Sequence, residues 1–387
     1  MLYIIIYIVL SFWCFGRNTG NESSNKLLAA VFIFLALLVG VGDMLGGYDR
    51  YSYGDLFDRC ADTVRAGGNP YSYDSPIMGY ASEKAYVIWN VWVAHVTANR
   101  YIFILLTTIL MYVMFFLCFK RYIEDYPFAI LLFMSLFFFF TFTYLRQVLA
   151  TCFCWFAYRY VIRRSFWKFA LCAFVAYKFH NSAIVFFPFY FIPRRKFPPR
   201  MIIYVMIGLL LVGMTGYPSS FYGAYGDVTG TDARTEQYMR YGNTFRIEYV
   251  LEVIVFLYFI LTQYRKIPDD VKSVTMLNAA LCFCGFLLFF VTSSTAGRQS
   301  WYYMMGIIGT LTYLVKVNKK GEFVNSLYVV ILLLFLRFVV FWGILVSPYK
   351  SFLTDGHRAN DPIFMQFEYD ERYDKDKFYR KAIDFRW

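Results

Sequence analysis

Four short polar motifs interrupt an otherwise apolar sequence, and each carries residues that could act on a phosphate or a sugar. GGYDRYSYGDLF (46–57) sets Asp49, Arg50 and Asp55 among tyrosines. An aspartate there can orient a sugar hydroxyl or take its proton; a solvated polar loop is the plainer alternative. TFTYLRQVLATCFCWF (141–156) opens an apolar helix with Arg146 and Gln147. A guanidinium offers a planar fork that matches phosphate oxygens, and the free N–H groups of a helix N-terminus add to the pull on an anion. An arginine that only snorkels to the interface would look the same. YKFHNSAIVFFP (177–188) supplies Lys178 and His180 between two short apolar segments. His180 could transfer a proton, donate to phosphate, or simply brace a helix junction. STAGRQSWYYMMG (294–306) places Arg298 and Gln299 beside Trp301, Tyr302 and Tyr303, an anion binder next to rings that suit sugar faces. Deeper in apolar sequence lie Glu248 and Glu252, on one helical face, and Arg337. Ionisable groups at membrane depth are costly and usually paired. An internal Glu252–Arg337 pair is therefore expected, with Glu248 nearer the surface as a base or substrate contact.

The elements that position these residues are membrane helices. Of 387 residues, 59% are hydrophobic and 22% aromatic, and the mean hydropathy is +0.47, far too apolar for an ordinary soluble domain. Runs at 27–42, 101–119 and 325–345 approach the roughly 20 residues that cross about 30 Å of hydrocarbon. Hydrophobicity is continuous and not alternating, so helices are expected and not a barrel. The reading is an all-α polytopic membrane protein with about twelve transmembrane helices. They fall near 1–15, 27–46, 100–119, 127–143, 146–162, 166–179, 181–193, 200–215, 246–264, 273–293, 299–315 and 324–346. The less apolar stretch 83–99 reads as a re-entrant or interfacial helix.

A formal charge of +12 does not point to nucleic acid, because the basic residues sit in short clusters between apolar runs. Arg17, Lys26, Lys120, Arg121, Arg163, Arg164, Lys168, Arg194, Arg195, Lys196, Arg200, Arg265, Lys266, Lys272, Lys316, Lys319 and Lys320 fall on alternate loops. Only Arg146, Lys178 and Arg298 fall on the short turns between them, which puts those turns, and both termini, outside. The chain then forms one transmembrane domain, 1–346, with long outer loops at 47–99 and 216–245 and an outer tail, 347–387, read as a partly ordered cap. The N-terminal MLYIIIYIVLSFWCF lacks a basic leader and reads as a retained span. The cysteines lie almost entirely in apolar segments, and the CxC pairs at 152/154 and 282/284 have no partner histidine, so neither a metal nor another cofactor is expected.

Taken in order, GYDxxxY after the second span, YLRQVLA, KFHNSA and GRQSWYY resemble the EpsG-type branch of Wzy-like bacterial polysaccharide polymerases, over roughly residues 40–310. The resemblance implies a GT-C-like helical fold in the cytoplasmic (inner) membrane, with the active site on its outer, periplasmic side. It implies transfer of a growing glycan from an undecaprenyl pyrophosphate carrier to an incoming lipid-linked oligosaccharide repeat. Carried over residue by residue, Asp49, Arg146, Gln147, His180 and Arg298 are the matching functional positions. Arg146 and Arg298 would bind the pyrophosphate, with Lys178 auxiliary, and either Asp49 or His180 would be the base. Arg50, Gln147, Tyr302, Tyr303 and Glu248 complete the expected substrate contacts. Implied partners are the undecaprenyl-pyrophosphate-linked oligosaccharide, the bilayer, a flippase and a chain-length regulator. Rival readings are a transferase adding one sugar, a glycan ligase, a flippase and a structural subunit. Charges gathered at one surface argue against the flippase, whose polar groups should line a midplane cavity.

Overall fold

The structure is a computed structural model that describes residues 1–16, 24–218, 244–293, 296–318, 321–347 and 349–353. Most of the expected outer loop 216–245 and of the tail 347–387 lies outside the described residues. Long apolar runs become helices because lipid offers the backbone no hydrogen-bond partners. They are α1 (Leu2–Gly16), α2 (Asn25–Gly40), α3 (Tyr48–Arg65), α4 (Lys84–Val96), α5 (Arg100–Tyr122), α6 (Tyr126–Leu136), α7 (Phe140–Thr143), α8 (Leu145–Ile162), α9 (Phe166–Phe179), α10 (Pro199–Met214), α11 (Ile247–Thr262), α12 (Val271–Phe289), α13 (Met304–Asn318) and α14 (Glu322–Val346). Short 3-10 segments run over Pro76–Tyr80, Asn181–Phe191, Tyr264–Lys266 and Ala296–Tyr303. No strand occurs among the described residues.

Three of these helices, α5, α12 and α14, are long and apolar enough to cross a membrane by themselves, and four shorter ones, together with the 3-10 segment Asn181–Phe191, are also apolar. The outer wall exposes Ile33 and Phe34 on α2, Val113 on α5, Leu211 on α10 and Val340 and Phe341 on α14, a surface suited to lipid and not to water. The centre is α6, every residue of which is buried. A helix apolar on all sides belongs inside a bundle. Phe133 of α6 packs with Phe115 and Phe137, and these two with each other and with Trp155, at ring-centroid separations of 5.1–6.0 Å.

Several expected spans are broken. The run 127–143 divides into α6 and α7 at Phe137–Phe139, and the Thr141 and Thr143 hydroxyls donate to the carbonyls of Phe138 and Gly46 at 2.6 and 2.7 Å. The first bond is local to the break, where the Thr141 backbone N–H also donates to the Phe138 carbonyl at 3.0 Å, and the second ties α7 to the reversal at Gly46. The run 181–193 is a 3-10 segment because Pro188 inside it lacks an N–H to donate. The segment 47–99, expected as loop with one interfacial helix, is mostly helical. In α3, Tyr51, Tyr53, Phe57, Cys60 and Ala61 bury one face, while Asp55 and Arg59 pair at 3.0 Å on the other. A buried ion pair, Asp58 with Arg100, ties α3 to α5.

Arg50 shows how the first motif is held. It is fully buried, and its fork donates to the carbonyls of Phe142 (3.1 Å), Val39 (2.8 Å) and Gly42 (3.1 Å). These bonds join the end of α2, the reversal at 41–47 and α7. Gly46 makes that reversal possible: its φ is +133°, and a Cβ there would fall 2.5 Å from the Phe142 oxygen. Arg50→Leu should leave three buried carbonyls without these donors, at a cost of about 3 kcal/mol or more. The protein should then accumulate poorly and melt at much lower temperature in detergent, with Arg50→Lys intermediate. An unchanged melting temperature would show that the carbonyls are satisfied otherwise.

Candidate active site

The site is organised by the start of α8. Tyr144, with φ −100° and ψ 61°, ends α7 and lets a new helix begin, so Arg146 and Gln147 fall in a first turn whose N–H groups lack intrahelical partners. Further along α8, Gln147, Trp155 and Tyr158 share one face. They donate to the main-chain carbonyls of Arg298 (3.1 Å), Trp301 (3.0 Å) and Tyr302 (3.1 Å). Thus the second motif grips the backbone of the fourth. Gly297 is needed beside this grip, because a Cβ would meet the Tyr249 hydroxyl at 2.4 Å. The Arg298 guanidinium stacks over the Tyr144 ring at 4.2 Å.

Arg146 sits among tyrosines, with its guanidinium 4.4 Å from the ring centre of Tyr80, 5.5 Å from Tyr53 and 5.7 Å from Tyr86. Its Nε donates to the Tyr53 hydroxyl at 3.4 Å, and its Nη1 pairs with the Glu83 carboxylate. The other Glu83 oxygen accepts the Asn181 backbone N–H at 3.1 Å. Burial alone would push the Glu83 carboxyl up, but Arg146, His180 and the Asn181 N–H together hold it below the usual glutamate range. The pair's contribution to stability is therefore present at neutral pH and is lost only as pH falls through that lowered value.

His180 caps the 3-10 segment at Asn181–Phe191. Its Nδ1 accepts the Ser182 backbone N–H at 3.3 Å and lies 2.8 Å from the Ser182 hydroxyl, which lies 2.7 Å from the Tyr302 hydroxyl. A backbone N–H can only donate, so with Nδ1 as its acceptor the imidazole presents its N–H at Nε2. Lys178 reaches the Ser82 carbonyl at 3.4 Å, and the Tyr303 hydroxyl donates to the Val185 carbonyl at 2.6 Å. Asp49, in the first turn of α3, lies within electrostatic reach of both Arg298 and Arg146; burial raises its pKa, and the two guanidinium groups only partly offset this.

The four motifs therefore meet at one end of the bundle. The opposite end gathers other cations: Lys316 lies 2.5 Å and Lys272 3.6 Å from Glu124, and Arg194 donates to the Ile162 carbonyl at 2.8 Å. Glu248 stands on the flank of the site, 3.5 Å from Arg246, and Glu252 lies within electrostatic reach of Arg337. Among the described residues, no three His, Cys, Asp or Glu side chains group as a metal ion would require.

The EpsG family model matches residues 27–353, most of the chain and all four motifs. The chain belongs to the EpsG family. No curated protein and no solved structure matches it. EpsG membership brings a coarse assignment, a membrane protein of polysaccharide biosynthesis with glycosyltransferase-like polymerase chemistry. Sequence reasoning on this EpsG chain missed Glu83, Ser182 and the tyrosines around Arg146. The available signal for Glu83 was a single acid entering the apolar run EKAYVIWNVW, with no local cation to neutralise it except Lys84.

Proposed function

We propose that this EpsG protein polymerises undecaprenyl-pyrophosphate-linked oligosaccharide repeats into surface polysaccharide on the outer face of the cytoplasmic membrane. In this reading the chain crosses the bilayer about twelve times, in a GT-C-like arrangement. One observation carries the reading: Asp49, Arg146, His180 and Arg298, from motifs far apart in sequence, come together at the end of the bundle opposite the basic clusters.

The chemistry follows from those groups. A hydroxyl of the acceptor repeat attacks the anomeric carbon of the donor glycan. The new C–O bond forms as the bond from that carbon to pyrophosphate breaks, and the electron pair leaves with the lipid pyrophosphate. Arg146 and Arg298 stabilise the charge growing on that leaving group, with Lys178 adding to the local field. Asp49 takes the hydroxyl proton, since its raised pKa makes it a better base than an ordinary aspartate. His180 acts as a donor through Nε2–H toward a phosphate oxygen, because Nδ1 is held by Ser182. Tyr302, through Ser182, orients the imidazole.

In cells lacking the gene, long polymer should vanish and single complete lipid-linked repeats should accumulate on the outer leaflet; the wild-type gene should restore the polymer. Repeats that lack one sugar would mark a single-sugar transferase instead. Complete repeats held on the inner leaflet would mark a flippase.

A further inference from the structure

Glu83 belongs to none of the four motifs, yet it bonds to two of them. We infer that Glu83 is a positioning residue for the transfer proposed above, on which the inference rests: a resident anion that holds Arg146 and the His180 turn in register and competes with an incoming phosphate for the guanidinium. Its place is fixed by the backbone. Glu83 donates its N–H to the Tyr80 carbonyl at 2.8 Å, and its carbonyl accepts from Tyr86 and Val87 at the start of α4. From there one carboxylate oxygen takes Nη1 of Arg146 and the other takes the Asn181 N–H beside His180. The side chain is 6% exposed, and the tyrosine rings around Arg146 keep water from weakening the pair. Nε of Arg146 faces the Tyr53 hydroxyl, so among the described residues only Nη2 is left without a hydrogen bond. Glu83 and Tyr53 take two of the five N–H donors of that fork, so a phosphate approaching along either of those edges competes with them. Partial neutralisation of Arg146 would weaken binding of the released lipid pyrophosphate, while a fixed guanidinium serves the transfer itself.

The test uses purified full-length protein in lipid nanodiscs, with inorganic pyrophosphate as the probe in calorimetry and lipid-linked repeats as substrate for turnover. Glu83→Gln keeps the side chain's shape and removes its charge. It should bind pyrophosphate about tenfold more tightly than wild type, while turnover falls on the order of 100-fold. Adding Arg146→Gln to that variant should abolish the gain. Unchanged or weaker pyrophosphate binding by a Glu83→Gln protein that melts like wild type would overturn the inference. Should Glu83→Gln fail to fold, Glu83→Asp decides: it keeps the charge but shortens the arm, so pyrophosphate binding should match wild type while turnover drops. Wild-type turnover from Glu83→Asp would overturn the positioning role. If the wild-type protein makes no polymer but Glu83→Gln still tightens on pyrophosphate, the polymerase reading fails and the competition of Glu83 for Arg146 stands.

Discussion

Replacing Arg146 by alanine should abolish long polymer while leaving the protein inserted and at normal abundance. The Arg146 guanidinium touches Glu83 and three tyrosines and lies in the field of Asp49. Loss of a fixed charge aimed at a departing pyrophosphate costs about 10³-fold in rate by comparison with other preorganised anion sites. Removal of Arg146 also leaves Glu83 as a buried anion without its cation, so protein level must be read alongside product. Arg146→Gln in the Glu83→Gln background restores neutrality and should still make no polymer. Arg146→Lys should retain little activity, because a point charge cannot reproduce the planar fork or its stacking among tyrosines. Polymer size on gels and an immunoblot of membranes check all three variants. Normal polymer from Arg146→Ala would remove Arg146 from the mechanism, and full activity of Arg146→Lys would reduce it to bulk charge.

The second large effect is expected at Asp49. Asp49→Asn keeps the shape and removes the base, and should slow turnover by about 10²- to 10⁴-fold with little change in melting temperature. Wild-type activity should rise with pH as Asp49 ionises. That limb should lie above the ordinary aspartate value of about 3.9, because burial favours the neutral acid more than Arg298 and Arg146 favour the anion. The Asn variant's residual rate should lose the limb. If the limb persists in Asp49→Asn, the titrating group is another residue and His180 must be reconsidered as the base.

Much of this site was legible because its motifs are local. Arg146 and Gln147 open a helix in sequence and in structure, and the KFHNSA turn sits where two short apolar segments meet. The alternation of basic loops also put Arg146, Lys178 and Arg298 on one side, and the bundle brings Arg146 and Arg298 to one end, away from Arg194 and Lys316. What sequence concealed depends on distant contacts. Glu83 lies 63 residues from Arg146, and nothing in its own segment indicates that a guanidinium will cover it. Arg50 looks like a surface residue because tyrosines and aspartates surround it, yet the left-handed turn at Gly46 folds it back onto carbonyls 8, 11 and 92 residues away. The same spacing of tyrosines and aspartates disguised the apolar face of α3. The break after α6 was hidden for the opposite reason: a run of four phenylalanines continues the hydrophobic signal across residues where the helix stops.

The proposed activity joins lipid-linked repeats end to end. The most direct measurement supplies purified protein in nanodiscs with one lipid-pyrophosphate-linked repeat and follows glycan length and freed carrier pyrophosphate together. A ladder of whole-repeat increments, with one lipid pyrophosphate released per added repeat and none of either from Arg146→Ala, is the expected result. Repeats that stay single under conditions where the protein is folded and binds the substrate would contradict it.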